Sequence, residues 1–325
     1  MKHSFTITII DVLIEDYVNN NYHKKGNYSK YNGAKFSDLF KRQRALTFGT
    51  KLQNHGLNHR MNQEFRKLFS TCEYVPIIRV VETKRYWINE NLLIVKANNK
   101  TFNIAQATLE IIDKYIETKK NAFDSFLKTS EQLKTFEVQQ PKKVKEFILS
   151  LIEPNVDARI FEIVSYAILK YDYKEQSIFF GFTIDTIEEK SLKLYKTSRT
   201  NANDGGIDFV MKPLGRFFQV TETTDVKKYF LDIDKLEKFP VTFVVKSTIP
   251  IDELKENIKA GAIKQYKVEK VVEKYMGCIE EIINIESLKQ SLNKIEKEKN
   301  LGNVLSEIIK HSKLDFNLEY EDQDE

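Results

Sequence analysis

The densest run of chemically able residues is Thr200-Asn201-Ala202-Asn203-Asp204-Gly205-Gly206-Ile207-Asp208-Phe209-Val210, followed after one turn by Arg216-Phe217-Phe218-Gln219-Val220-Thr221-Glu222. Gly205 and Gly206 allow a tight turn and close backbone approach. Asp208 then opens a strand whose other residues, Ile207, Phe209 and Val210, are apolar. A carboxylate there is costly to bury unless a positive group meets it, and a divalent cation is the usual partner. On the next strand the period of two puts Gln219 and Thr221 on one face and Val220 and Glu222 on the other, so Gln219 and Thr221 can point towards Asp208 together. Upstream, Glu162 follows Phe161 on a helix where Glu162, Ser165, Tyr166 and Leu169 share a side, so a second carboxylate can reach the same ion. Such hard oxygen ligands select Mg²⁺ or Mn²⁺ over zinc. A plainer alternative stays open. Asp204-Gly205 is a common hairpin pair, Asp208 can cap or form a salt bridge without a metal, and Glu162 can be an exposed helix carboxylate.

Charge distribution supplies a partner for this chemistry. Residues 24–67 hold eleven bases against the acids Asp38 and Glu64, although the whole chain has 51 Lys+Arg against 47 Asp+Glu. Such a surplus attracts a polyanion. The residues expected to touch DNA are Lys41, Arg42, Arg44, Lys51, Asn54, His55, Asn58, His59 and Arg60, joined by Arg199, Asn201 and Asn203. The cations set phosphate register, and Asn and His can hydrogen-bond base edges. A solvated basic face is the alternative. His55 and His59 stand four apart, but Gly56 between them and the absence of Cys or Glu in pattern argue against a zinc pair. Residues 315–325 carry six acids and no base, an end that repels a polyanion.

Two domains must position these groups, since 325 residues exceed a single small module. In the first, residues 1–143, residues 5–12 alternate loosely and admit a strand, and 19–33 reads as a loop. Residues 36–40 and 61–69 look helical, 75–81 and 92–96 look like strands flanking Trp87, and 104–118 is an amphipathic helix. Residues 119–143 suit a linker or a pair of bridging helices. In the second, 144–325, helices are expected at 144–152 and 158–169, with Phe161, Val164, Ile168 and Leu169 buried. Residues 177–183 read as a buried strand, and 207–211, 217–221 and 241–247 as three more. Amphipathic helices are expected at 268–283 and 287–309. The class is α/β, α+β overall: a mixed sheet flanked by helices, preceded by an α+β DNA-binding domain.

The helix with Phe161-Glu162, the strand opened by Asp204-Gly205-Gly206-Ile207-Asp208 and the strand with Gln219-Val220-Thr221 resemble, in that order, the PD-(D/E)XK nuclease superfamily, restriction endonucleases above all. The likeness covers residues 144–247, about a third of the chain. It implies a restriction-endonuclease-like fold and Mg²⁺-dependent phosphodiester hydrolysis, with Mn²⁺ as a substitute. Asp208 and Glu162 would hold the metal and Gln219 would help through its carbonyl oxygen; Thr221 and Glu222 complete the implied catalytic set. The sequence departs from the family where Thr221 replaces a lysine. Glu222, Lys227, Lys228 and Lys196 are the nearby candidates to compensate. The expectation is a type II restriction endonuclease cutting double-stranded DNA, and two-fold symmetry at a palindrome makes a homodimer the simplest assembly. The alternatives are an inactive DNA-binding or defence protein of the same fold and an RNA-processing nuclease.

Several classes drop out. Hydrophobic residues at 41% with 22 Phe and 15 Tyr provide enough apolar surface for a core, which excludes wholesale disorder. No G-x-x-x-x-G-K-[ST] loop points to an NTP motor, and no G-x-S-x-G or Cys/His nucleophile stands out. Cys72 and Cys278, the only cysteines, cannot build a disulfide framework. Without a long apolar run or a leader-like start, the expectation is a soluble cytoplasmic protein with no membrane contact.

Overall fold

The structure, a computed structural model, describes residues 9–24, 28, 31–45, 57–135, 139–197, 207–222 and 225–316. The chain divides into two compact units, Met1–Phe126 with Phe316–Glu325, and Leu127–Asp315. The division falls nearer the N-terminus than the expected 143/144 boundary. Residues 119–135 carry almost no helix breaker and continue a helix, so of the two readings of 119–143 the bridging helices fit and the linker does not.

The first unit opens with α1 (Ile9–Asn19), continues through β1 (Ala34–Lys35), α2 (Phe36–Ala45), α3 (Leu57–Leu68), β2 (Ile77–Val80), β3 (Arg85–Ile88), β4 (Ile94–Ala97) and β5 (Lys100–Asn103), and enters α4 (Ala105–Thr135). Helix α1 corrects the strand expected at 5–12, of which residues 9–12 are described. Val12, Leu13, Ile14, Tyr17 and Val18 are all buried, a run that surrounds most of the helix and that a strand would split between two faces. They pack with Leu39, Ile77, Tyr86 and Ile88 into one core. There β3 lies between β1 and β2, antiparallel to both.

The second unit runs α5 (Pro141–Ser150), α6 (Ala158–Asp172), β6 (Ser177–Phe180), β7 (Glu188–Ser191), β8 (Lys193–Lys196), β9 (Phe209–Lys212), β10 (Arg216–Thr221), α7 (Val226–Lys235), β11 (Val241–Val245), α8 (Ile251–Tyr266), α9 (Glu269–Met276), β12 (Ile279–Ile283), α10 (Ile285–Lys297) and α11 (Leu301–Asp315). Its sheet has the order β12-β11-β10-β9-β8. Strands β8, β9 and β10 are antiparallel neighbours, and β10, β11 and β12 are parallel. Every residue of β11 is buried, as a strand covered on both faces must be. On one face Val241, Phe243 and Val245 pack with α7, α8 and α9. On the other, Phe209 meets Tyr166 of α6, and Phe218 meets Tyr173 just past its end. The architecture is thus mixed α and β.

Three expectations for this unit are corrected. Residues 279–283 form an edge strand and not the end of a helix: α9 stops at Gly277, and the β-branched residues after Cys278 pair with β11. The helix expected over 287–309 is two helices, broken where Lys299 adopts a left-handed φ of 57°. Residues 177–183 belong to an exposed hairpin of β6 with β7, not a buried strand, with Phe179 77% and Phe182 93% exposed. Among the described residues no helix is long and apolar enough to cross a membrane.

Candidate active site

The sequence around Asp208 folds as its alternation predicts. Residues 209–212 and 216–221 form a two-stranded turn closed at Gly215, whose φ of +71° suits glycine. Asp208 stands immediately before β9 and is tied on both sides. Its amide donates to the carbonyl of Phe218 at 2.9 Å, and its carbonyl accepts from the amide of Thr197 at 2.9 Å and from Thr197 Oγ1 at 2.9 Å. Its side-chain Oδ2 accepts the amide of Val220 at 2.6 Å. The carboxyl is therefore oriented by β8 and β10 before any ligand arrives. Burial, reinforced by the negative charge of Glu162, pushes its pKa up to about 8, against the opposing effects of the Val220 amide, Lys196 and Lys228.

Glu162 is delivered by α6. Asp157 caps that helix through the amide of Arg159, and Phe161, Val164, Ser165, Ile168 and Leu169 bury its inner face. This leaves Glu162 on the flank of the buried stripe, its side chain 22% exposed. Its partner is Lys196 at the end of β8, with Nζ 2.6 Å from Glu162 Oε1 and 3.0 Å from Asp315 Oδ2. Lys196 pairs with Phe209 across the sheet, one position from Asp208. Burial alone would lower the Lys196 pKa; the carboxylates of Glu162 and Asp315 outweigh it and hold the ammonium charged. Buried charges survive only when paired in this way.

Helices α6 and α11 keep these groups together. They run antiparallel, with Lys170 ion-paired to Glu307, Tyr166 edge-on to His311 at 4.9 Å between rings, and Glu162 linked to Asp315 through Lys196. Each rung advances four residues along α6 and retreats four along α11. A hydrogen bond from His311, aided by Lys170, draws the Glu307 pKa down to about 2 despite burial. Asp315 is thus the last residue of a packed helix, where the sequence reads as the start of a solvated acidic end.

Further along the same face, Lys246 at the end of β11 donates to Glu222 and to the carbonyl of Val156. Lys228 lies in the first turns of α7, exposed and close enough for its charge to act on Asp208.

The structure therefore brings Asp208, Glu162 and Lys196 together, with Lys228 nearby, and leaves others apart. Gln219 pairs with Phe243 and Thr221 with Val245, residues that face α7, α8 and α9. Directly opposed residues share a face, so Gln219 and Thr221 look away from α6 and Glu162. The register thus separates both from Glu162 and not from Asp208, which precedes Phe209 and so stands beside Gln219 across the strands; the group that reaches the Asp208 carboxyl is the amide of Val220. Arg42, expected on DNA, is engaged by Glu15 and Asp16 of α1. Lys41 is exposed, and His59, also exposed, contacts Gln63 Nε2 at 2.8 Å. Lys51, Asn54, His55, Arg199, Asn201 and Asn203 lie outside the described residues, as do Asp204, Gly205, Gly206 and the side chains of Arg44, Asn58 and Arg60. Asp315 was missed as a site residue, because nothing local signals a pairing with Lys196.

Among the described residues no three His, Cys, Asp or Glu side chains form a metal-binding group. The pair of acids still fits a hard cation: Asp208 is half-buried and repelled by Glu162, and a divalent ion between such groups relieves both costs. Mg²⁺ completes its shell readily with water and phosphate oxygen. No family model, curated protein or solved structure matches this chain.

Proposed function

We propose that this chain is a Mg²⁺-dependent nuclease of the PD-(D/E)XK restriction-endonuclease type, cutting double-stranded DNA as a homodimer by phosphodiester hydrolysis. One observation carries the reading: a buried lysine, Lys196, stands against Glu162 and one strand position from Asp208. Two acids and a buried ammonium are the chemistry that phosphodiester hydrolysis asks for, and β8 supplies the lysine that Thr221 does not.

Asp208 and Glu162 would hold the metal, with Mn²⁺ as a substitute. When bound, the ion lowers the pKa of a water and offsets charge on the scissile phosphate. Lys196 places a fixed positive charge where negative charge develops on phosphate oxygen, in a site too buried for solvent to screen it. Lys228, exposed beside this group, meets the incoming backbone. Val220 and Thr197 hold Asp208 at one orientation throughout. The basic residues of 24–67 add sequence-independent affinity.

Incubation of the purified chain with supercoiled plasmid is the test. Mg²⁺ should produce linear fragments of defined length, chelator should suppress them, and Asp208→Ala should abolish cutting while leaving DNA retention intact. Plasmid that stays supercoiled at every Mg²⁺ and Mn²⁺ concentration refutes the hydrolase.

A further inference from the structure

We propose that Asp315 is a positioning residue: it keeps the Lys196 ammonium in place when Glu162 turns to a divalent metal ion. The inference rests on the nuclease reading above and extends it to a group outside the acid pair.

The Lys196 side chain is 8% exposed, and its ammonium is shared between Glu162 at 2.6 Å and Asp315 at 3.0 Å. A cation drawn to Glu162 both competes for the carboxylate and repels the ammonium. If Glu162 were the sole counter-ion, metal binding would strand a buried positive charge, and Glu162 would be slow to give Lys196 up. Asp315 removes that conflict. It remains as a carboxylate for Lys196, so Glu162 can be released without unpairing anything.

The placement of Asp315 suits a fixed clasp. Leu301, Val304, Leu305 and Ile308 bury α11, the rungs at Glu307 and His311 fix its register against α6, and Asp315 ends it with a side chain only 15% exposed. Sliding α11 by one turn would break all three rungs together, so the carboxylate cannot follow Lys196 away from the site.

Calorimetric titration of Mn²⁺ into the metal-free protein, its Asp315→Asn variant and its Asp315→Glu variant tests this. Asp315→Asn should bind Mn²⁺ at least ~tenfold more weakly, since Glu162 is then the only carboxylate left to Lys196, and Asp315→Glu should recover most of that loss. For plasmid cleavage, kcat should fall by a similar factor with KM for DNA unchanged. Equal Mn²⁺ affinity in the parent and a folded Asp315→Asn protein overturns the proposal. No Mn²⁺ binding by the parent overturns the nuclease reading itself, and the two failures are distinct.

A second measurement needs no variant. An amine-acylating reagent, with sites located by mass spectrometry, should leave Lys196 protected in the parent protein with and without saturating Mg²⁺. Labelling of Lys196 on Mg²⁺ loading would show that Asp315 does not hold it.

Discussion

Replacing Asp208 with asparagine should make the metal-free protein more stable while removing its activity. The carboxyl is held at a pKa of about 8, against an ordinary 3.8, by burial and the charge of Glu162. Below the ordinary value both folded and unfolded chains carry the proton, and folding is indifferent to pH. From pH 4 upward the unfolded chain releases the proton and the folded chain keeps it, so stability falls until the folded pKa is reached. Each pH step costs about 1.4 kcal/mol, which makes the ceiling at pH 7 about 4 kcal/mol. Local relaxation reduces this to about 2–4 kcal/mol. Asparagine imitates the protonated acid and still accepts the Val220 amide through its side-chain oxygen. Hydrogen exchange of the β9 and β10 amides in chelator, read as an opening free energy, measures the gain. The Asp208→Asn advantage should be near zero at pH 4 and largest near pH 8. A pH-independent gain, or lower stability at pH 7, refutes the claim that burial and Glu162 strain this carboxyl.

Other outcomes follow from the same contacts. Lys196→Met leaves the half-buried Glu162 and Asp315 without their shared cation and should destabilise the second unit by about 1–3 kcal/mol in thermal unfolding. Gln219→Leu should keep Mn²⁺ affinity within about threefold, because the side chain faces α7–α9 and a ligand would lose more than tenfold. In DNA binding measured against salt, Lys41→Ala should reduce the log–log slope by about one, whereas Arg42→Ala should leave it unchanged and cost no more than about 1 kcal/mol of stability.

What could be read in advance was what is local. The turn between β9 and β10 and the buried stripe of α6 each arise from neighbouring residues, so Asp208 and Glu162 were recognisable as candidates. Lys196 was one of four candidates to stand in for the lysine that Thr221 replaces, and singling it out depended on β8 pairing with β9 and on the Glu162 contact from α6, neither of which leaves a mark near residue 196. Asp315 required the register of two helices far apart in the chain. Alternation assigned Gln219 and Thr221 to one face correctly, but which face met α6 was decided by the helices packed on β11. Composition misled where burial was assumed: residues 177–183 carry three Phe yet fold as an exposed hairpin, and the β-branched residues at 9–14 served a helix.

The clasp formed by α11 also has an order in time. Glu162, Lys196 and Asp208 emerge from the ribosome before Asp315, and β8, β9 and β10, which are consecutive in the chain and neighbours in the sheet, are all made before it as well. Helix α11 is translated after every other element of the sheet and its flanking helices. A growing polypeptide therefore owns both acids and the lysine while still lacking the helix that disciplines them, so the Lys196–Asp315 pair closes only as synthesis of this unit finishes.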